Sequence, residues 1–413
     1  MSFNKKATED TEKKEGLRSS SQPSAFPASS SLKDDSAQKD PEQTESQEKS
    51  NPISKTSVAK KNWPRAILHL DMDAFYVNVH ILDNSEDAER PLAIGGQPDQ
   101  RGVVASASYE ARAKGVRSAM PMSTAVRLCP NLKIAPANWK RIRECSKQVM
   151  SILESYGPVE QMSVDEAYVD LSAWDNPEEK AAEIKAAVKT KTSLPCSVGL
   201  SSSKLVAKVA SDHDKPEGFT IVPPGEEAAF LAPLPTRAIH GIGPRTAEKL
   251  AKLNIHTCQQ LALADLGLLQ GALGSQGASL KERARGVDGR TVKSDRGMAK
   301  SISQEWTFSQ DVSDPERLRI QLQKMAERVA QSLQKRQLVA HTVTVKFRWA
   351  DFTTFTRQRS LEVGIDDAET IYTVAEAIWA EHWPPGQKMR LLGVGVSKIE
   401  AVQVRQLGFN FPK

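Results

Sequence analysis

The sequence has only four cysteines, Cys129, Cys145, Cys196 and Cys258, and none forms a Cys-x-x-Cys pair with another. This argues against a structural zinc site and a disulfide framework, and the four read as reduced, mostly buried thiols. No apolar run approaches membrane-spanning length, and the N-terminus lacks the apolar stretch of a secretory signal. A soluble, cytoplasmic chain with no membrane partner is the expectation. Residues 1–64 lack aliphatic clusters and are rich in Ser, Lys, Glu, Gln and Pro. Such a composition cannot bury enough apolar area to offset ordering entropy, so it predicts a disordered polar tail.

An excess of one charge sign is also small overall, at +5 over 413 residues. Its distribution says more. The tail is near neutral at +1, residues 65–235 sum to −4 and residues 236–413 to +8. An acidic middle suits metal binding, and a basic C-terminal part suits a polyanion such as nucleic acid. A chain of this length with ordinary apolar content holds two to four domains.

What is present centres on residues 161–171, Gln-Met-Ser-Val-Asp-Glu-Ala-Tyr-Val-Asp-Leu, where Asp165 and Glu166 stand side by side between apolar residues. Neighbouring side chains on a regular strand point to opposite faces, so both acids reach one site only if the backbone turns there. Two short strands folded back at the acidic pair are predicted. Residues 66–73 form a second strand-like run, ending in Asp71 and Asp73 on one face. Three carboxylates from such segments would make an oxygen cage for Mg²⁺ with positions left for phosphate. Read one segment at a time, Asp165 and Glu166 are equally turn acids, and Asp71 and Asp73 caps of the following helix.

Further along come Tyr109-Glu110-Ala111-Arg112, a short helix stopped by Gly115, and then Gly115-Val116-Arg117-Ser118-Ala119-Met120-Pro121. With Asp71-Met72-Asp73-Ala74-Phe75-Tyr76 before them and Ser163-Val164-Asp165-Glu166-Ala167-Tyr168 after, these blocks resemble in order and spacing the Y-family of DNA polymerases, of the DNA polymerase IV type. The resemblance runs from about Arg65 to the C-terminus. It implies that Asp71, Asp165 and Glu166, with the carbonyl of Met72, hold two Mg²⁺ ions, and that Asp73 is a structural acid. It also implies that Tyr76 is a steric gate under the incoming sugar, and that Tyr109, Arg112 and Lys215 contact the triphosphate, with Lys204 reaching the same region. Tyr109 and Arg112 lie three apart and share a helix face. Where the family usually has an acid after the gate this chain has His80, read as a helix-surface histidine.

The implied fold is α+β and multidomain. A ferredoxin-like palm (65–74 and 139–222) would contain strands near 66–71, 159–171 and 195–200 backed by helices near 138–156 and 181–188. Small fingers span 75–138, with a ceiling strand of small residues around Val103, Ala105 and Ser106. A helical thumb (223–290) would carry a helix-hairpin-helix in which Gly241 and Gly243 let a phosphate approach and Arg245 assists. A mobile linker (291–299) leads to an α/β little finger (300–402), read as strand 300–309, helix 314–335, strands 340–349 and 353–362, helix 367–382 and strand 389–400. Arg348, Arg357 and Arg359 fall on near-alternating strand positions there and could track a DNA backbone. Residues 403–413 end in Gln406, Leu407, Phe409 and Phe411, which look like a sliding-clamp peptide.

These features imply a monomeric bacterial translesion polymerase, acting on primer-template DNA and deoxynucleoside triphosphates by two-metal phosphoryl transfer. The length leaves no room for a proofreading exonuclease. A nucleotidyl cyclase would share the acids without needing the hairpin or the basic final domain. A non-catalytic DNA-binding protein would keep the hairpin without needing the acids.

Overall fold

A computed structural model of the chain describes residues 63–295 and 297–402. The expected tail before Trp63 and the Gln406–Phe411 peptide therefore lie outside the described residues. Along the first half run β1 (Ile67–Met72), α1 (Phe75–Asp83), β2 (Leu92–Gly95), β3 (Val104–Ala107), α2 (Tyr109–Ala113), α3 (Met122–Leu128) and β4 (Lys133–Ala135). They are followed by α4 (Trp139–Glu154), β5 (Val159–Gln161), β6 (Glu166–Asp170), α5 (Pro177–Thr192), β7 (Cys196–Ser201), α6 (Lys204–His213) and β8 (Phe219–Ile221).

The largest sheet of this half has the order β5-β6-β1-β7-β8. β1 is antiparallel to both β6 and β7, which with α4 and α5 as crossovers gives a ferredoxin-like arrangement, and β8 extends the edge in parallel with β7. The two crossover helices form for local reasons. Asn138 caps α4 by accepting the N–H of Arg141, and Ile142, Cys145, Val149 and Leu153 recur on one buried face. α5 starts with Pro177, Glu178 and Glu179 and ends with Lys189 and Lys191, each charge set matching its end of the helix dipole. Their apolar faces close over Leu68, Leu70, Val169 and Val198 of the sheet.

The opposite face of the sheet is not open. Helix α6, capped by Ser203, lies across it, and Ala207 packs on Ile67 and Tyr168. Its other side, Leu205, Val206, Val209 and Ala210, joins the core of the next helical segment. That segment comprises α7 (Glu227–Leu231), α8 (Pro244–Ala251), α9 (Cys258–Leu263), α10 (Leu266–Leu273) and α11 (Gln276–Ala284). The expected helix-hairpin-helix is reduced on its first side to a single 3-10 turn at Thr236–Ala238. Between β1 and α4, β2 is flanked by β3 and β4 in a small three-stranded sheet.

Residues 291–299 were expected to be a mobile linker. Its first residues are tied down: the Lys293 N–H donates to Glu160 at 2.7 Å, and Val292 packs against the cluster of Ile67, Tyr168 and Ala207. The last part of the chain forms β9 (Ser301–Val312), α12 (Pro315–Gln334), β10 (Leu338–Trp349), β11 (Thr354–Ile365), α13 (Ala368–His382) and β12 (Met389–Ala401). The sheet order is β11-β10-β12-β9, all antiparallel. Both helices pack on one face, over a core that includes Leu322, Val329, Phe347 and Trp379. The architecture is α+β in several layers. Among the described residues no helix is long and apolar enough to cross a membrane, and all four cysteines are free and buried.

Candidate active site

The acidic tip is built by backbone pairing. Asp71 at the end of β1 stands directly opposite Glu166 at the start of β6, so their side chains share a sheet face. One residue on, the Met72 N–H donates to the Asp165 carbonyl at 3.0 Å. Ser163 shapes the turn between β5 and β6: its hydroxyl accepts the N–H groups of Asp165 and Glu166, both at 3.1 Å, and donates to the Asp165 carboxylate. This serine-centred turn solves the geometric problem of presenting two consecutive acids, and a Ser two residues before an acid is the sequence signal for it.

Asp71 and Asp73 do not cap the following helix. α1 begins after Ala74 in the left-handed region, at φ 41°, with no side-chain cap. Asp73 instead anchors several parts of the site. It accepts both contacts of the Ser197 hydroxyl at 2.9 and 3.0 Å, the Tyr109 hydroxyl at 3.2 Å and the Glu217 N–H at 2.8 Å. One buried carboxylate thus ties β1 to β7, α2 and the loop that carries Lys215.

Asp71, Asp165, Tyr76, Tyr109, Arg112 and Lys215 line one cleft with a volume of about 150 Å³. Ala105 and Ser106 of the small-residue strand form its other wall, joined by Ser118. Arg112 stacks over the Tyr109 ring at 4.7 Å and is oriented by donating to the Ala107 carbonyl at 2.9 Å. Burial, with Asp73 beside it, pushes the Tyr109 phenol up to about 12, so it acts as a hydrogen-bond donor throughout the neutral range. Burial and then the Asp165 charge raise the Tyr76 phenol as well. Lys215 reaches the Asp71 carboxylate at 2.9 Å and Asp212 at 2.7 Å.

Glu166 leans out of this cleft towards Lys208, at 3.0 Å. His69 lies 4.0 Å from Glu166 on the far side, but it is fully buried, and burial first and nearby lysines second keep the ring neutral, so no ion pair forms. Lys204 does not reach the region of Lys215. It pairs with Glu160 at 2.6 Å and lies over the Tyr168 ring, because its place at the start of α6 points it at β5. His80 is not a plain surface histidine either: its Nε2 lies 2.8 Å from Asp87, a buried carboxylate that Lys133 also holds.

Among the described residues no three metal-ligating side chains converge as they stand, since Asp71 faces Lys215 and Glu166 faces Lys208. The donor set nonetheless fits a hard divalent cation, being carboxylate oxygens on paired strand positions. Burial raises the Asp71 carboxyl to about 7 against the opposing pull of Lys215.

In the helical segment Gly241 adopts φ +100° with the Arg283 guanidinium beside it, and Gly243 has open space around it. Pro244 occupies the first position of α8, Arg245 beside it is exposed, and the Arg283 guanidinium donates to the His240 carbonyl at 3.4 Å. The three arginines of the last sheet do not form one row. Arg357 and Arg359 stand opposite Val345 and Val343, which are buried under the helices, and Arg359 reaches Glu381 of α13. Arg348 points to the other, open face. They belong to two strands, and their spacing along the chain carried no information about the strand register that separates them.

Residues 70–212 match the model of the impB/mucB/samB family, residues 299–409 that of its C-terminal domain, and residues 237–288 the thumb domain of DNA polymerase-iota. Among curated proteins, the chain is 37% identical over 356 residues to DNA polymerase IV of Bacillus anthracis, covering 84% of this chain and 86% of that one. The chain belongs to the Y-family DNA polymerases, DNA polymerase IV type. DNA polymerase IV of Methanoculleus marisnigri (strain ATCC 35101 / DSM 1498 / JR1) is 40% identical over 353 residues, with 84% and 98% covered. A solved Y-family polymerase chimera, Dbh-Dpo4(243-245)-Dbh, has the same fold, with TM-score 0.73 at 23% identity over 82% of this chain and all of that one. This Y-family member is accordingly a DNA-directed DNA polymerase of the translesion type, dependent on a divalent metal.

Proposed function

We propose that Asp71, Asp165 and Glu166, with the Met72 carbonyl, hold two Mg²⁺ ions in this polymerase. The single observation that carries the reading is that Asp71, Asp165, Tyr76, Tyr109, Arg112 and Lys215, drawn from five separate segments, line one cleft. When bound, the ions lower the pKa of the primer 3′-hydroxyl and stabilise the leaving pyrophosphate.

The remaining roles follow from the protein groups. Arg112, Tyr109 and Lys215 offer a fork of N–H donors, a phenol that stays protonated and a compact ammonium, which together suit a deoxynucleoside triphosphate. Tyr76 lies on the cleft floor where the sugar of that nucleotide would rest, and its ring leaves no room for a 2′-hydroxyl. Ala105 and Ser106 make a small roof that presses weakly on the new base pair, which supports tolerance of damaged templates and low fidelity.

Residues 65–74 and 139–222 act as palm, 75–138 as fingers, 223–290 as thumb and 300–402 as little finger. The glycine turn at Gly241 and Gly243, with Arg245, suits the backbone of primer-template DNA without reading its sequence. Arg348 serves the same backbone from the open face of the last sheet. We further assign Gln406, Leu407, Phe409 and Phe411 to a sliding clamp, on their sequence pattern alone, and expect the enzyme to work as a monomer in the cytoplasm.

The test is primer extension with Mg²⁺ and all four deoxynucleotides. The wild type extends a primed template, whereas Asp165→Ala and Glu166→Ala abolish extension while retaining DNA binding. Near-normal turnover by Asp165→Ala overturns the assignment. Extension by the wild type also excludes a cyclase and a non-catalytic DNA-binding protein.

A further inference from the structure

Trp139, the first residue of α4, is 48% exposed, an unusual setting for the largest aromatic side chain. Its ring meets Tyr76 edge to face, with centroids 5.4 Å apart and planes at 71°. The other ring beside Tyr76 is Phe75, at 6.0 Å and tilted, and that ring belongs to the core under the sheet. Trp139 is not among the residues that line the nucleotide cleft. Whatever it does there it does through Tyr76.

The start of α4 is a firm base for such a contact. Asn138 caps the helix, Ile142 and Cys145 in its first two turns are buried, and Arg141 reaches Asp83 at the end of α1 at 3.3 Å. Helix α1 is therefore pinned against the start of α4 at both ends, by Tyr76 on Trp139 and by Asp83 on Arg141. Between these two contacts lies a cavity of about 40 Å³ whose walls include Tyr76, His80, Asn138 and Arg141. The space is large enough for a water molecule. Tyr76 is therefore not packed tightly on every side along α1.

We propose that Trp139 is a positioning residue for Tyr76, backing the phenol and so setting how strictly the enzyme excludes a 2′-hydroxyl. The inference rests on Tyr76 being the sugar gate. A gate works only as well as its ring is held, and the edge-to-face contact with Trp139 braces the ring from the start of α4. In this enzyme, sugar selection is then a property of two rings on two helices.

The experiment is single-nucleotide incorporation, with kcat and KM measured for a deoxynucleotide and the matching ribonucleotide in the full-length protein. Trp139→Ala should lower the deoxy-to-ribo ratio of kcat/KM by about three- to ten-fold, the span of one edge-to-face contact. The fall should come mainly from a lower KM for the ribonucleotide. Trp139→Phe, which keeps a ring edge, should recover most of the ratio. Tyr76→Ala should lower it further than Trp139→Ala, and adding Trp139→Ala to Tyr76→Ala should change nothing more. If Tyr76→Ala collapses the ratio but Trp139→Ala leaves it alone, or if the two effects add, the positioning role is wrong. If Tyr76→Ala itself leaves the ratio unchanged, the gate assignment fails, and the role of Trp139 falls with it. Circular dichroism checks folding, and Trp139→Leu replaces the Ala variant in the same measurement if that one does not fold.

Discussion

Replacing Asp73 with Ala removes the acceptor of three donors at once. Asp73 is only 2% exposed and the Ser197 hydroxyl that donates to it is buried, whereas the Glu217 N–H and the Tyr109 hydroxyl are part-buried and can turn to water. A buried donor left without a partner costs about 1 to 3 kcal/mol. The enclosed Ser197 donor therefore places the loss of stability at about 1 to 3 kcal/mol, and the Glu217 N–H, on an exposed residue, adds less. The same change frees the Tyr109 hydroxyl and the loop of Lys215, so the KM for the incoming nucleotide should rise more than kcat falls. Asp73→Asn keeps one acceptor oxygen and should show a smaller version of both effects. Thermal melting and steady-state single-nucleotide incorporation measure them. A melting temperature and KM equal to those of the wild type would refute the anchoring role. Loss of turnover with stability and KM intact would instead place Asp73 among the metal ligands.

Two further outcomes are expected. Lys133 and His80 hydrogen bonds hold the Asp87 carboxyl below its usual range, so its stabilising effect is full above the unfolded carboxylate value and is lost as pH falls through the lower folded value. Asp87→Asn should therefore narrow the difference in melting temperature between pH 7 and the acid range, and an undiminished difference would show that this ion pair carries no pH dependence. Deleting residues 406–413 should leave extension on short primers intact but abolish stimulation by a loaded clamp, because a tether raises local concentration without touching the cleft; stimulation that survives in a stable deletion variant places the clamp contact elsewhere.

Much of this fold was legible because its elements have strong periods. The helices and strands of the C-terminal sheet follow apolar spacing closely enough that β9 to β12, α12 and α13 fall within a few residues of their expected ends. The pairing of the acids was legible for a chemical reason, since two adjacent carboxylates amid apolar residues need an unusual backbone. What resisted reading depended on tertiary direction. Lys204 and Lys208 are four apart on one helix and look alike in sequence, yet one serves Glu160 and the other Glu166. Asp73 reads as a helix cap until the Ser197 hydroxyl, 124 residues away, is seen to meet it. His80 is ordinary until Asp87 is found buried beside it. Arg348, Arg357 and Arg359 fall on near-alternating strand positions, but the face that each strand presents depends on register across a turn.

Helix α6 has one side on the five-stranded sheet and the other in the core of the helices that follow, α7 to α11. This decides where the molecule can be divided. A fragment cut at residue 222 and 223 would leave Leu205, Val206, Val209 and Ala210 bare on one piece and strip the helical piece of the wall against which Leu231 and Ile239 pack. Residues 301–401, by contrast, enclose an apolar core drawn almost wholly from themselves. Grafting between relatives is therefore easy at the last sheet and hard at the thumb, which can be exchanged only together with the helix that precedes it.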